Sequence, residues 1–216
     1  MGKLDIVTIV VIAANVMISY KGFGDFIFFE RYKFQVGPIL RGEKFRMFSS
    51  GFLHVDVQHL LFNMLTLYFF ADVITDLLGR LNFILIYTVS LLFGSLLSLY
   101  FHKEEYYYSA VGASGAVTGV LYSAILLQPG LNLYMFFIPI PIPSYVFGIG
   151  YLLYSIYGMK NKVGNIGHDA HFGGAIGGYI MTLLLSPWLF QTNLLMIGLL
   201  AIPIILLFVL KKAGKL

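Results

Sequence analysis

The sequence has no cysteine. That excludes a disulfide framework, a thiolate zinc site and a cysteine nucleophile. It also has little charge. Only 11% of its 216 residues are charged, against about a quarter in a soluble domain. With 59% hydrophobic residues, too few polar groups remain to coat a water-soluble globule. The expected class is a polytopic membrane protein folded as one compact domain. The net charge of +4 comes from scattered Lys and Arg, so nucleic acid is not an expected partner. The apolar runs lack the period-2 alternation of transmembrane barrel strands. No repeat of fixed period is visible. Residues 1–20 lack a small-residue cleavage site and read as a retained first span.

What is present is a set of long runs without charge. They cover 6–20, 57–71, 81–102, 106–159 and 170–210. One span needs about 20 residues, so the last two runs hold two helices each. In the first of them "QPG" (128–130) and "PIPIP" (139–143) supply a break, because proline removes a backbone donor and clashes with the preceding turn. The second divides at "SPWLFQTN" (186–193). The pattern predicts seven helices, at 4–20, 57–77, 81–101, 113–128, 144–159, 169–187 and 193–210. The loop from Lys21 to Arg46 is rich in aromatics and mixed charge. Such a loop packs on the membrane interface.

Polar groups inside spans are costly and so are candidates for function. Three segments carry them. In "HLLFN" (59–63), His59 and Asn63 are four apart, on one helical face; hydrogen bonding between helices is the competing explanation. His54, just outside that span, reads as interface or loop packing. In "VGASGAVTGV" (111–120), Gly115 and Gly119 form a small-xxx-small pair and Ser114 opens the helix. A helix start offers unpaired N–H groups to a developing oxyanion. In "NIGHDAHFGGAIGGYIM" (165–181), His171, Gly174 and Gly178 share a face. If that stripe meets Gly115 and Gly119, His171 stands beside Ser114, as a base beside its nucleophile. His168 faces the mouth of the bundle. Asp169 points elsewhere and is not assigned as a third member.

The ordered set of "HLLFN", "GASG" (112–115) and "AHFGGAIGG" (170–178) resembles the rhomboid family of intramembrane serine proteases over residues 4–187. The stretch "FRMFSSGFLH" (45–54) is also similar, with Phe45-Arg46 where Trp-Arg is common. The resemblance implies an all-α six-helix core (1–187), followed by an added seventh helix and basic tail (188–216). It implies Ser114 as nucleophile, His171 as general base and acid, and His59, Asn63 and the Ser114 N–H as the oxyanion site. Gly112, Gly115, Gly119, Gly174 and Gly178 become packing positions, and Arg46 a structural residue of the first loop. Helix 144–159 becomes a lateral gate, with a wet mouth at loops 102–113 and 160–168. The implied partners are transmembrane protein substrates and the lipid bilayer of a cell membrane. No metal, cofactor or obligatory protein partner is implied. The sequence departs from the family at Thr118, where a tyrosine often supports the histidine ring.

Other classes fit less well. "GFGD" (22–25) matches an aspartyl-protease motif, but Asp25 lies in a charged loop and no Tyr-Asp dipeptide occurs. No H-E-x-x-H metal motif is present. A non-catalytic relative that binds or escorts spans would lack the serine or the histidine, and both are here. A transporter predicts inverted repeats, and none is seen. Orientation is contested. Lys3 and Arg80 lie on the N-terminal side and twelve Lys or Arg on the other, which by the positive-inside rule turns the mouth to the cytoplasm. Six of the twelve lie in the first loop, which folds on the membrane with internal ion pairs. The family resemblance favours an outward-facing site.

Overall fold

The computed structural model describes residues 4–135, 138–164 and 166–216. Seven long helices make up the all-α bundle: α1 Ile6–Gly24, α2 Val57–Leu78, α3 Arg80–His102, α4 Ser114–Leu127, α5 Ser144–Asn161, α6 His168–Leu185 and α7 Leu194–Lys212. By length and composition α1, α2, α3 and α7 can each cross a membrane, and α4 is a shorter apolar helix. The protein is a multi-pass membrane protein.

Local chemistry sets the boundaries. Asp5 caps α1 by accepting from the Val7 N–H at 2.9 Å and pairs with Arg80 at the start of α3 (2.9 Å). Asp56 caps α2 through the His59 N–H at 2.7 Å, which fixes the turn on which His59 sits. Gly79, at φ +85°, lets α2 pass straight into α3.

Helix α4 is the axis. Every residue from Gly115 to Leu127 is buried, as an all-apolar helix requires. It packs against α2, α3, α5 and α6. Against α6 the contact is backbone to backbone. A Cβ on Gly174 would strike the Gly115 carbonyl, and one on Gly178 the Gly119 carbonyl. A second stripe on α6, Gly173 and Gly177, faces Phe93, Gly94 and Ser90 of α3. Ser123 and Thr182 bond to each other at 2.7 Å and to the carbonyls of Gly119 and Gly178, at 2.9 and 2.7 Å. This is the polar cross-linking expected between membrane helices. Helix α5 is tied to α4 by the Tyr122 hydroxyl, which donates to the Gly148 carbonyl at 3.0 Å. Helix α7 is held by Tyr179 of α6, donating to Ile197 O (3.0 Å), and by Asn193, donating to Leu126 O (3.0 Å).

Two segments differ from the sequence expectation. Helix α1 runs on past Lys21 to Gly24, with the Lys21 ammonium over the Phe28 ring at 4.4 Å. The first loop is then ordered, with short helices Phe26–Tyr32, Val36–Leu40 and Arg46–Ser49. Strand β1 (Phe34–Gln35) pairs antiparallel with β2 (Ser109–Ala110), tying that loop to the segment before Ser114. The break between α4 and α5 is an antiparallel ribbon, β3 (Asn132–Met135) with β4 (Ile138–Pro143). A two-stranded ribbon has only edges, and edge strands tolerate proline.

Candidate active site

A cavity of about 890 Å³ opens above α4, lined by Ser114, Thr118, His59, Asn63, His171 and Tyr151 among others. Residues of both expected mouth loops border it, including Tyr108, Gly112, Gly164 and His168.

Ser114 is the first residue of α4. Among the described residues no acceptor meets the N–H groups of Ser114, Gly115 and Ala116, so the helix start is an open donor site. Gly112 differs from its expected place in the helix contact. It precedes α4, at φ +134°, and a Cβ there would come within 2.7 Å of His59 Cε1 and 3.7 Å of Ser114 Oγ. Its bare backbone is what lets the His59 ring close on the serine. Asn63 is buried and donates from Nδ2 to the His59 carbonyl at 3.2 Å.

His171 is 5% exposed. Gly174, one turn below it, rests on Gly115, the residue after Ser114; the two glycine stripes thus bring His171 and Ser114 to one cavity. The two side chains share no direct hydrogen bond. Such contacts are commonly long without substrate and tighten in its presence. Tyr151 of α5 stacks on the His171 ring, centroids 5.3 Å apart and planes 27° apart, with its hydroxyl 2.8 Å from Nδ1. Asp169 points away. The Tyr108 hydroxyl donates to it at 3.4 Å, and His102 Nε2 lies 3.8 Å from its other oxygen. Burial, then the Asp169 charge, holds the Tyr108 pKa above its ordinary value. His168 is buried against Gly158, its Nε2 3.2 Å from Val163 O.

His54 is a site neighbour that sequence reading missed. It is fully buried. Its Nε2 accepts the Ala113 N–H at 3.3 Å, and its Nδ1 lies 2.8 Å from Ser19 Oγ, which donates to Phe52 O at 2.9 Å. Burial first, then His59 beside it, pushes its pKa down to about 3. A neutral ring is therefore fixed just before Ser114, its protons assigned by its partners. Nothing local in the sequence signals this, because Ser19 and Ala113 are distant in the chain. Arg46 is likewise buried, bonded to Glu43 (2.6 Å) and to the carbonyls of Glu30 and Lys33 (2.8 and 3.1 Å).

A membrane-helix bundle with a serine at an open helix start, lining one cavity with His59, Asn63 and His171, defines the class. The family follows from comparison with known proteins. A family model for the rhomboid domain matches residues 41–188, more than half of the chain, and the chain belongs to the rhomboid family. It is 28% identical to RHOMBOID-like protein 12, mitochondrial, of Arabidopsis thaliana, over 79% of this chain and 55% of that protein. It is 31% identical to Rhomboid protein 1, mitochondrial, of Saccharomyces cerevisiae, over 63% of this chain and 40% of that protein. It is 34% identical to Rhomboid protease GluP of Bacillus subtilis, over 65% of this chain and 26% of that protein. The matches thus span about half or less of these relatives' own length.

Proposed function

We propose that the protein is an intramembrane serine endopeptidase that hydrolyses peptide bonds in or near the membrane spans of other proteins. One observation carries the reading: Ser114, His171, His59 and Asn63 line a single cavity inside a bundle of membrane helices. Ser114 Oγ attacks the scissile carbonyl while His171 takes its proton. The Ser114 N–H, His59 and Asn63 receive the oxyanion. His171 returns the proton to the leaving amine, and water then releases the acyl group by the same steps in reverse order. No metal or cofactor enters these steps.

The side walls of the cavity are Phe62 and Thr66 of α2 and Phe147, Tyr151 and Tyr154 of α5. A substrate span enters from the bilayer between these two helices, α5 acting as the gate. Glycine or small residues near the cut make its unwinding easier. The likeness to Rhomboid protease GluP supports the reading. The proposed location is the cell membrane, with the mouth outward. The test is cleavage of a reporter membrane substrate by purified protein in lipid. Ser114→Ala and His171→Ala each abolish it; retention of cleavage by either variant contradicts the dyad.

A further inference from the structure

Helix α1 buries four of its residues: Thr8, Asn15, Ser19 and Gly22. Three of them are polar, and polar groups inside a span are candidates for function. Gly22 lets α1 close on Leu53, whose Cδ2 would lie 2.9 Å from a Cβ there. Ser19, one turn earlier, reaches the same stretch. Its hydroxyl donates to the Phe52 carbonyl at 2.9 Å. A hydroxyl has one proton. Toward His54 Nδ1, 2.8 Å away, the serine oxygen can therefore only accept, and Nδ1 carries the N–H. The other side of the ring gives the same answer independently. The Ala113 N–H donates to His54 Nε2 at 3.3 Å. A backbone N–H only donates, so Nε2 is bare. The two partners together fix His54 as the neutral Nδ1–H form.

Ala113 is held on both sides. Its N–H goes to His54, and its carbonyl accepts the Val117 N–H at 2.9 Å. The Gly112 N–H before it goes to the Ser50 carbonyl at 3.0 Å. The stretch 50–54 thus takes up the two N–H groups that precede Ser114. The next one, that of Ser114, is left open among the described residues. Resting on the protease reading, we propose that Ser19 and His54 are positioning residues for the nucleophile turn. The relay runs from the Ala113 N–H to His54 Nε2, from His54 Nδ1–H to Ser19 Oγ, and from the Ser19 hydroxyl to the Phe52 carbonyl. Through it α1 fixes the peptide whose Ser114 N–H points at the oxyanion. It also commits the Ala113 N–H, so the Ser114 N–H is the first backbone donor that receives the charge. The His54 ring stands edge-on to His59, centroids 4.9 Å apart and planes 76° apart. The same residue therefore seats a second member of the oxyanion site.

The test compares Ser19→Ala, His54→Leu and His54→Gln, the last of which keeps an amide oxygen to accept the Ala113 N–H. In proteoliposomes His54→Leu lowers kcat for a reporter substrate by about tenfold or more with KM nearly unchanged. His54→Gln recovers part of that loss. Ser19→Ala lowers kcat less than His54→Leu, and the double variant Ser19→Ala with His54→Leu loses no more than His54→Leu alone, because both cut one relay. Wild-type kcat in His54→Leu, no recovery in His54→Gln, or fully multiplicative losses overturns the proposal. A second readout is independent of cleavage and of variant folding. ¹⁵N-histidine spectra of the wild type in micelles, with the His54 signals identified by their loss in His54→Gln, show His54 at neutral pH as the Nδ1–H tautomer. An Nε2–H tautomer or a charged ring overturns the relay even if the protein is an active protease. If Ser114→Ala still cleaves, the protease reading fails, and the spectra still decide the relay.

Discussion

His54 and His171 are two buried rings with opposite visibility in the sequence. His171 stands out because it heads a glycine stripe inside a span. Its partner Tyr151 does not, being one of 15 tyrosines with nothing local to mark it; only the small residue at Thr118 hints that support must come from elsewhere. His54 reads in the sequence as interface or loop packing, since its partners Ser19 and Ala113 come from distant parts of the chain. Its burial has a consequence for stability. With a folded pKa of about 3, against about 6.5 in the unfolded chain, the unfolded state takes the proton first. His54's contribution is complete above about pH 6.5 and is lost as pH falls toward 3. The melting temperature in detergent is expected to fall between pH 7 and pH 4, and less steeply in His54→Gln. Parallel curves for the two proteins contradict the assignment.

The helices are legible because charge punctuates apolar runs and proline breaks the longest of them, and seven of the structure's helices lie where the sequence predicts seven spans. Their packing was legible in part. The stripe of Gly174 and Gly178 was visible as a period, while its twin, Gly173 and Gly177 against α3, was not separated from it. The ribbon β3–β4 and the pairing of β1 with β2 were invisible. Two- to six-residue strands carry too little periodicity, and the prolines signal only that a helix must end. At Gly174 a side chain meets the Gly115 backbone, which cannot yield as a flexible side chain can. Gly174→Val is expected to push α4 and α6 apart, abolishing cleavage while membrane insertion stays normal. Gly198→Ala, whose Cβ meets nothing within 4 Å, is the control. It keeps full activity and gains up to about 1 kcal/mol of helix propensity. Full activity in Gly174→Val, or loss in Gly198→Ala, contradicts the packing account.

For the whole molecule, the first loop bears on orientation. Lys33 and Arg46 are paired with Glu30 and Glu43, and Lys21, Arg31 and Arg41 lie over the rings of Phe28, Tyr32 and Tyr106. Five of the loop's six cations are thus engaged with the fold itself, which weakens their weight in the positive-inside count. The expectation is a mouth turned outward. Because the chain has no cysteine, Tyr107→Cys on the exposed mouth loop gives a single label site. A membrane-impermeant maleimide is expected to label it in intact cells; labelling only after permeabilisation places the mouth on the cytoplasmic side. The central claim is that a serine and a histidine on two touching helices cut peptide bonds within the membrane. It is tested most directly by reconstituting the purified protein with a reporter transmembrane substrate in lipid vesicles. The expected result is one defined cleavage by the wild type and none by Ser114→Ala or His171→Ala. Cleavage that survives either substitution, or a wild type that binds such substrates without cutting any, contradicts it.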